Sequence, residues 1–177
     1  MTKHPVGDII CLIFSQGVFF MSIERVRNYL AQYGMENEIK EFNVSSATVA
    51  LAAQALGCSE ARIAKTLSFN VNGKNVLIVT AGDAKVNNGK FKHFFNVKAS
   101  MLPACEVEEK IGHGVGGVCP FGVNEDVEIY LDDSLKRFET VFPACGSSNS
   151  AIELTLPLLE KLAKPVSWVD VCKIPEE

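Results

Sequence analysis

The run from Lys65 to Gly82 constrains this chain most. "KTLSFNV" and "NVLIVTAG" flank "NGK", and Asn72-Gly73 is the pair that a tight primed turn prefers. The run therefore reads as a β-hairpin. Its second arm, Val76 to Val79, is continuously apolar, which predicts a strand buried on both faces.

Other elements follow along the chain. "MSIERVRNYLAQYG" predicts a helix with Ser22 as cap, Gly34 as stop, and Ile23, Val26, Tyr29 and Leu30 as its apolar stripe. "EIKEFNV" alternates and predicts a strand. "SSATVALAAQALG" predicts a helix capped by Ser45 or Ser46 and ended by Gly57. A short helical turn follows from Ser59. "VNNGKFKHFFN" reads as a loop entering a helix, and "PACEVEEKIG" as a helix stopped by Gly112. "DVEIYLD", "RFETVFPACG", "SAIELT" and "VSWVDVC" read as strands. Thr155 is the expected cap of "LPLLEKLAK", with Pro157 tolerated in its first turn. Short strands interspersed with short helices predict an α+β domain with a mixed, strongly curved sheet.

A chain of 177 residues, 47% hydrophobic and 21% charged, can bury a real core and suggests one domain. The net charge of -4 argues against a general nucleic-acid coat, while leaving room for a local basic patch. Cysteines 11, 58, 105, 119, 145 and 172 include no C-x-x-C pair, and His4, His93 and His113 are scattered. No metal site or cofactor is expected, and reduced thiols predict a cytoplasmic setting. The apolar "DIICLIFSQGVFF" is interrupted by Ser-Gln-Gly, lacks a small-x-small cleavage site, and is too short to span a bilayer. Residues 1–20 therefore read as an N-terminal extension, and 21–177 as a single domain without a membrane partner.

Three features carry chemistry. Lys65 opens "KTLSFNV", and period-2 counting places it on the face of Leu67, Phe69 and Val71, the expected buried face. An ammonium there needs a partner. Either a bound anion or ligand hydroxyl supplies it, or the lysine snorkels from the strand end or pairs with a carboxylate. The second feature is a window between Asp83 and Glu106 with no acidic residue. It holds Lys85, Lys90, Lys92, His93 and Lys98, interleaved with Phe91, Phe94 and Phe95. The lysines suit phosphates or a solvated face, and the phenylalanines suit a core.

The third is "GHGVGGVCPFG", Gly112 to Gly122. Gly116, Gly117, Val118, Cys119 and Pro120 form a G-x-x-x-P run whose bare backbone can approach a ligand and present converging N–H groups. A tight connection between strands is the alternative. Cys119 has no base in view except His113, and reads as a small loop residue. Phosphate-loop, G-x-S-x-G and H-E-x-x-H motifs are absent.

"ARIAKTLSF", "GVGGVCPFG" and "GSSNSAIELT" occur in this order. Together they resemble the YbaK-like, prolyl-tRNA-synthetase-associated family of aminoacyl-tRNA deacylases, over roughly Met21 to Lys173. The resemblance implies a barrel-like sheet with peripheral helices and an editing hydrolase. Its substrate would be mischarged tRNA, often tRNA(Pro), cleaved in trans. Lys65 would hold the terminal adenosine or its phosphates. Gly116 to Pro120 would bind the ester carbonyl, and a water or a substrate group would be the nucleophile. Phe42, Val44, Ser46 and Thr48 are the candidate pocket walls, with Cys145-Gly146 at a Gly-Gly position of cysteine-removing members. Those members carry aspartate where Ala151 stands. Expected partners are the aminoacyl-tRNA 3′ end, with Lys85, Lys90, Lys92 and Lys98 on its phosphates, and a synthetase. The rival reading is a non-catalytic module that binds tRNA ends or a synthetase.

Overall fold

The computed structural model describes residues 22–175. The expected N-terminal extension lies outside them. Helix α1 covers residues 22–31. Ile23, Val26 and Leu30 are its buried stripe, as their spacing predicts. Ser22 falls inside the helix rather than capping it in isolation, and its hydroxyl meets the His113 ring.

The sheet is built around the hairpin. β2 (Ile63–Val71) and β3 (Lys74–Ala81) pair antiparallel in full register, from Ala64 opposite Ala81 to Val71 opposite Lys74. Asn72 and Gly73 have φ of 53° and 84°, as a primed turn requires. β3 then pairs parallel with β5 (Glu128–Asp132), and β5 with β9 (Ser167–Val169). On the other side β2 pairs parallel with β6 (Thr140–Pro143), which pairs antiparallel with β8 (Leu154–Thr155). The result is a six-stranded mixed sheet, order β8-β6-β2-β3-β5-β9, strongly curled into a half-barrel. Val76, Leu77, Ile78 and Val79 are fully buried, which bears out the two-faced burial expected of β3.

The neighbouring strand departs from its expected pattern. On β2, Phe69 and Val71 are buried, but Leu67 is only half-buried and Ser68 is buried at 6% exposure. Alternation assumes one solvated face, and the curled sheet covers both faces of β2.

Helix α2 (Val49–Leu56) is capped by Thr48, whose hydroxyl oxygen accepts from the Leu51 N–H at 3.2 Å; the cap is not Ser45 or Ser46. Gly57, at φ 66°, ends it. Helix α3 (Asn88–Phe95) is capped by Asn87, α4 (Ala104–Ile111) ends at Gly112, and α5 (Leu156–Ala163) carries Pro157 in its first turn. The strand expected over "EIKEFNV" shrinks to β1 (Lys40–Glu41), which pairs with β7 (Ser150–Ala151). β4 (Lys85–Val86) pairs with β10 (Cys172–Lys173).

The glycine-rich loop owes part of its composition to packing. A Cβ on Gly117 would stand 2.5 Å from the Gly146 carbonyl group and 2.7 Å from the Ser147 nitrogen. Only glycine lets the two backbones meet so closely. Gly117→Ala should therefore lower stability by about 1–3 kcal/mol, the range for overpacking. Urea unfolding measures this, and an unchanged midpoint would contradict the contact.

Candidate functional site

Lys65 lies near the start of β2 and is half-buried. Its ammonium donates to the carbonyls of Gly82, at 2.9 Å, and Ala84, at 2.5 Å. Its partners are thus backbone oxygens from the turn that follows β3, a solution no residue-type pattern reveals. An ammonium has three N–H groups, so one remains for a ligand. Burial lowers the pKa of Lys65 from its ordinary 10.5.

The 82–84 turn is itself pinned. A Cβ on Gly82 would lie 2.0 Å from the Glu60 carbonyl oxygen, so that position admits only glycine. Arg137 grips Asp83 through two guanidinium nitrogens, at 3.0 and 2.5 Å, and donates from Nε to the Ser134 carbonyl. Those hydrogen bonds hold the Asp83 carboxyl below its usual range.

Beside Lys65 lies a cavity of about 440 Å³. β2 forms one wall through Ala64, Thr66 and Ser68, and Phe142, Ala144 and Ala151 form another. Ser46, Thr48 and Val49 close a third side, and Val115, Gly116 and Val118 come from the glycine-rich loop. Among the described residues lining it, Lys65 is the sole charged side chain.

The edge of β2 is open at this place. Its ladder to β6 ends at Ala64 opposite Pro143. Backbone pairing resumes only at Ser68 and Asn70, which bond to Leu102 and Ser100. Backbone groups on one side of a strand recur every second residue. Thr66 therefore turns its N–H and carbonyl to the same edge, with no backbone partner among the described residues.

The glycine-rich loop adds donors. Gly116 is at φ 91°, a conformation that favours glycine. Gly117 donates its N–H to the Gly114 carbonyl at 3.0 Å, while the N–H groups of Gly116 and Val118 meet no acceptor among the described residues. A lysine, free loop N–H groups and an open strand edge thus surround one uncharged, largely apolar hollow.

Comparison with known proteins is consistent with that geometry. The sequence profile of the aminoacyl-tRNA editing domain matches residues 44–162. The chain belongs to the aminoacyl-tRNA editing domain family. An uncharacterised protein of Bacillus subtilis strain 168, YwhH, is 55% identical over 154 residues, covering 86% of this chain and 98% of its own. A proline–tRNA ligase of Bacillus licheniformis is 26% identical over 181 residues, 99% of this chain but 31% of the ligase. The chain thus spans under a third of that relative. A crystal structure provisionally described as a trans-editing enzyme for prolyl tRNA synthetase superposes with TM-score 0.77 at 27% identity. That match covers 86% of this chain and 97% of the other.

Within this editing domain, the expected site residues divide. Lys65, Gly116, Val118, Ser46 and Thr48 line the cavity. Gly117, Cys119 and Pro120 are buried behind it. Phe42 and Val44 lie outside the lining, because their segment runs beside residues 149–151 through the Phe42 N–H to the Asn149 carbonyl. Cys145 and Gly146 are buried against α1, where a Cβ on Gly146 would meet the Ser22 carbonyl oxygen at 2.6 Å. Ala151, Thr66, Ser68 and Met101 line the cavity although period counting does not select them. Of the basic window, Lys90 is paired with Asp170 at 2.6 Å, while Lys85, Lys92 and Lys98 are exposed. Phe91 is core, and Phe94 stays 45% exposed. The described residues contain no metal-binding cluster and no helix long and apolar enough to cross a membrane.

Cys119 does not line this cavity. It is fully buried with its sulfur 3.7 Å from His113 Nε2, and burial pushes its thiol up to about 12. His113 Nε2 lies 2.7 Å from the Phe121 carbonyl and so carries the proton, while Nδ1 accepts from Ser22 at 2.9 Å. Neither group is available as a nucleophile and base. The pair instead ties the loop to α1.

Burial lowers His113 from 6.5 to about 4. Above 6.5 the ring is neutral in folded and unfolded chains alike, so it does not alter stability there. Below that, the unfolded chain binds a proton that the folded one refuses. Stability is lost as pH falls from 6.5 towards 4, by roughly 3 kcal/mol in all. His113→Asn should be less stable than wild type at about pH 7, with the gap narrowing at about pH 4.5. Urea midpoints of both proteins check this; a constant gap contradicts it.

Proposed function

We propose that this protein hydrolyses the ester of mischarged aminoacyl-tRNA in trans, with tRNA(Pro) the favoured carrier. Family membership supports the reaction class, and the resemblance to proline–tRNA ligases supports the carrier. The observation that carries the reading is that a half-buried lysine and loop residues whose N–H groups are unengaged among the described residues line one cavity.

The chemistry follows from those groups. A water attacks the ester carbonyl carbon, and the carbonyl oxygen becomes an oxyanion. The N–H groups of Gly116 and Val118 donate to it, and preorganised donors of this kind favour the transition state over the ground state. The carbon–oxygen bond to the ribose then breaks, and the ribose oxygen takes the proton that the water gives up. The remaining N–H of Lys65 holds the ribose side of the ester in place. No side-chain nucleophile takes part, in keeping with the burial of Cys119.

The aminoacyl group brings an α-ammonium, and no carboxylate lines the cavity among the described residues. The open carbonyl of Thr66 is the acceptor best placed for it. The hollow admits uncharged side chains, since a charged one would be buried without a partner.

Two measurements test the reading. Across a panel of mischarged tRNAs, wild type should release at least one uncharged amino acid, and Lys65→Ala should slow that release about a hundredfold. Release from none, with tRNA still bound, would mean a binding module. The second compares that substrate with its analogue carrying an α-hydroxyl in place of the α-amino group. The analogue should react about tenfold more slowly, for loss of one charge-assisted hydrogen bond. Equal rates would remove Thr66 from the mechanism.

A further inference from the structure

A buried carboxylate fixes the segment that follows β5. Asp132, at the end of β5, is 1% exposed. One of its oxygens accepts from the Ser134 N–H at 3.0 Å and the other from the Val171 N–H at 2.9 Å. These bonds are firm, because breaking them would strand a buried charge. The short helical turn Asp133–Arg137 therefore starts from a fixed point. It clasps the end of β3 at two places. The buried Ser134 hydroxyl accepts from the Ala81 N–H at 3.1 Å. One turn further on, Arg137 donates from Nε to the Ser134 carbonyl and grips both oxygens of Asp83.

Asp83 stands between Gly82 and Ala84, the two residues whose carbonyls hold the Lys65 ammonium. Turning either peptide plane would aim its oxygen elsewhere. Lys65 has a flexible alkyl stem and no rigidity of its own. Once two of its N–H groups are spent on fixed carbonyls, the direction of the third is set. None of Asp83, Asp132, Ser134 and Arg137 lines the cavity beside Lys65, so their bearing on a substrate there passes through the lysine. The Arg137–Asp83 pair is also a weak source of stability, since its side chains are 32% and 26% exposed.

We infer that Arg137 and Asp83 are a positioning pair that aims the free N–H of Lys65 at the substrate through the Gly82 and Ala84 carbonyls, with Asp132 and Ser134 as its anchored base. This role rests on the deacylase reading for the reaction itself. The clasp also bears on the Lys65 charge. Burial works against the ammonium, the Cys172 side chain of β10 and Asp83 favour it, and Lys85 of β4 opposes it. Charge matters here because a neutral amine has only two N–H groups, and the two carbonyls would take both.

The test uses the full 177-residue chain and the mischarged tRNA(Pro) that wild type deacylates fastest. Arg137→Gln and Asp83→Asn should each lower kcat about tenfold, the scale for a misaimed group, with tRNA affinity unchanged. Their melting temperatures should stay within about 4 °C of wild type, as loss of a surface pair requires. In a Lys65→Ala background, Arg137→Gln should cost nothing further, because the group it aims is gone. Full additivity of the two losses, a kcat like wild type, or a fall of both melting temperatures by more than about 10 °C would overturn the inference. A second readout needs no activity. The ¹³Cε shift of Lys65 should titrate at lower pH in Asp83→Asn, and the alkaline limb of kcat, corrected for uncatalysed hydrolysis, should move with it. Arg137→Gln keeps the carboxylate and should titrate no lower than wild type. Identical titrations of Lys65 in wild type and Asp83→Asn would remove Asp83 from the role. Failure of the deacylase reading is separable: wild type would then release no amino acid, whatever the Lys65 titration shows.

Discussion

The site depends on where strand β3 ends. Its side chains from Val76 to Val79 are fully buried on both faces of the sheet, and its backbone is paired to β2 and β5, so the strand cannot slide without breaking that register. Each such side chain contributes roughly 1.5–3 kcal/mol of burial. The turn that follows, Gly82 to Ala84, therefore stands at a fixed point beside β2. Its two carbonyls receive the Lys65 ammonium. Packing at Glu60 and the Arg137 grip on Asp83 remove the remaining freedom. Core register and site geometry are one constraint.

Glycine serves the site in two separate ways. Gly82, Gly117 and Gly146 are places where another backbone passes too close for any Cβ. Gly116 is different: it lines the cavity at a positive φ, and its N–H has no acceptor among the described residues. The G-x-x-x-P run thus combines a packing joint with a donor. His113 and Cys119 belong to the joint: both are buried and neutral, His113 bonds to Ser22 of α1, and Cys119 packs against the His113 ring, so neither lines the hollow.

Much of the fold was legible in local patterns. The Asn72-Gly73 turn, the apolar run of β3, and the glycine stops at Gly57 and Gly112 all follow from elementary backbone sterics. The patterns faltered where tertiary contacts intervened. Thr48 displaces the two preceding serines as cap, because Ser46 is held to Ser148 through both its N–H and its hydroxyl. "EIKEFNV" forms only two residues of strand because its partner β7 is equally short. Leu67 and Ser68 exchange their expected exposure because the sheet curls around both faces of β2.

The sequence by itself determined the hairpin, the family motifs and the residues that could carry charge into an apolar setting. These are local properties, set by φ, by residue chemistry and by spacing along one strand. Tertiary structure alone decided what Lys65 bonds to, which loop N–H groups stay unengaged, and that β2 has an unpaired edge at Thr66. Each of these depends on backbone groups, identical in every residue, brought together from distant parts of the chain. No residue pattern encodes such a meeting until the core fixes it.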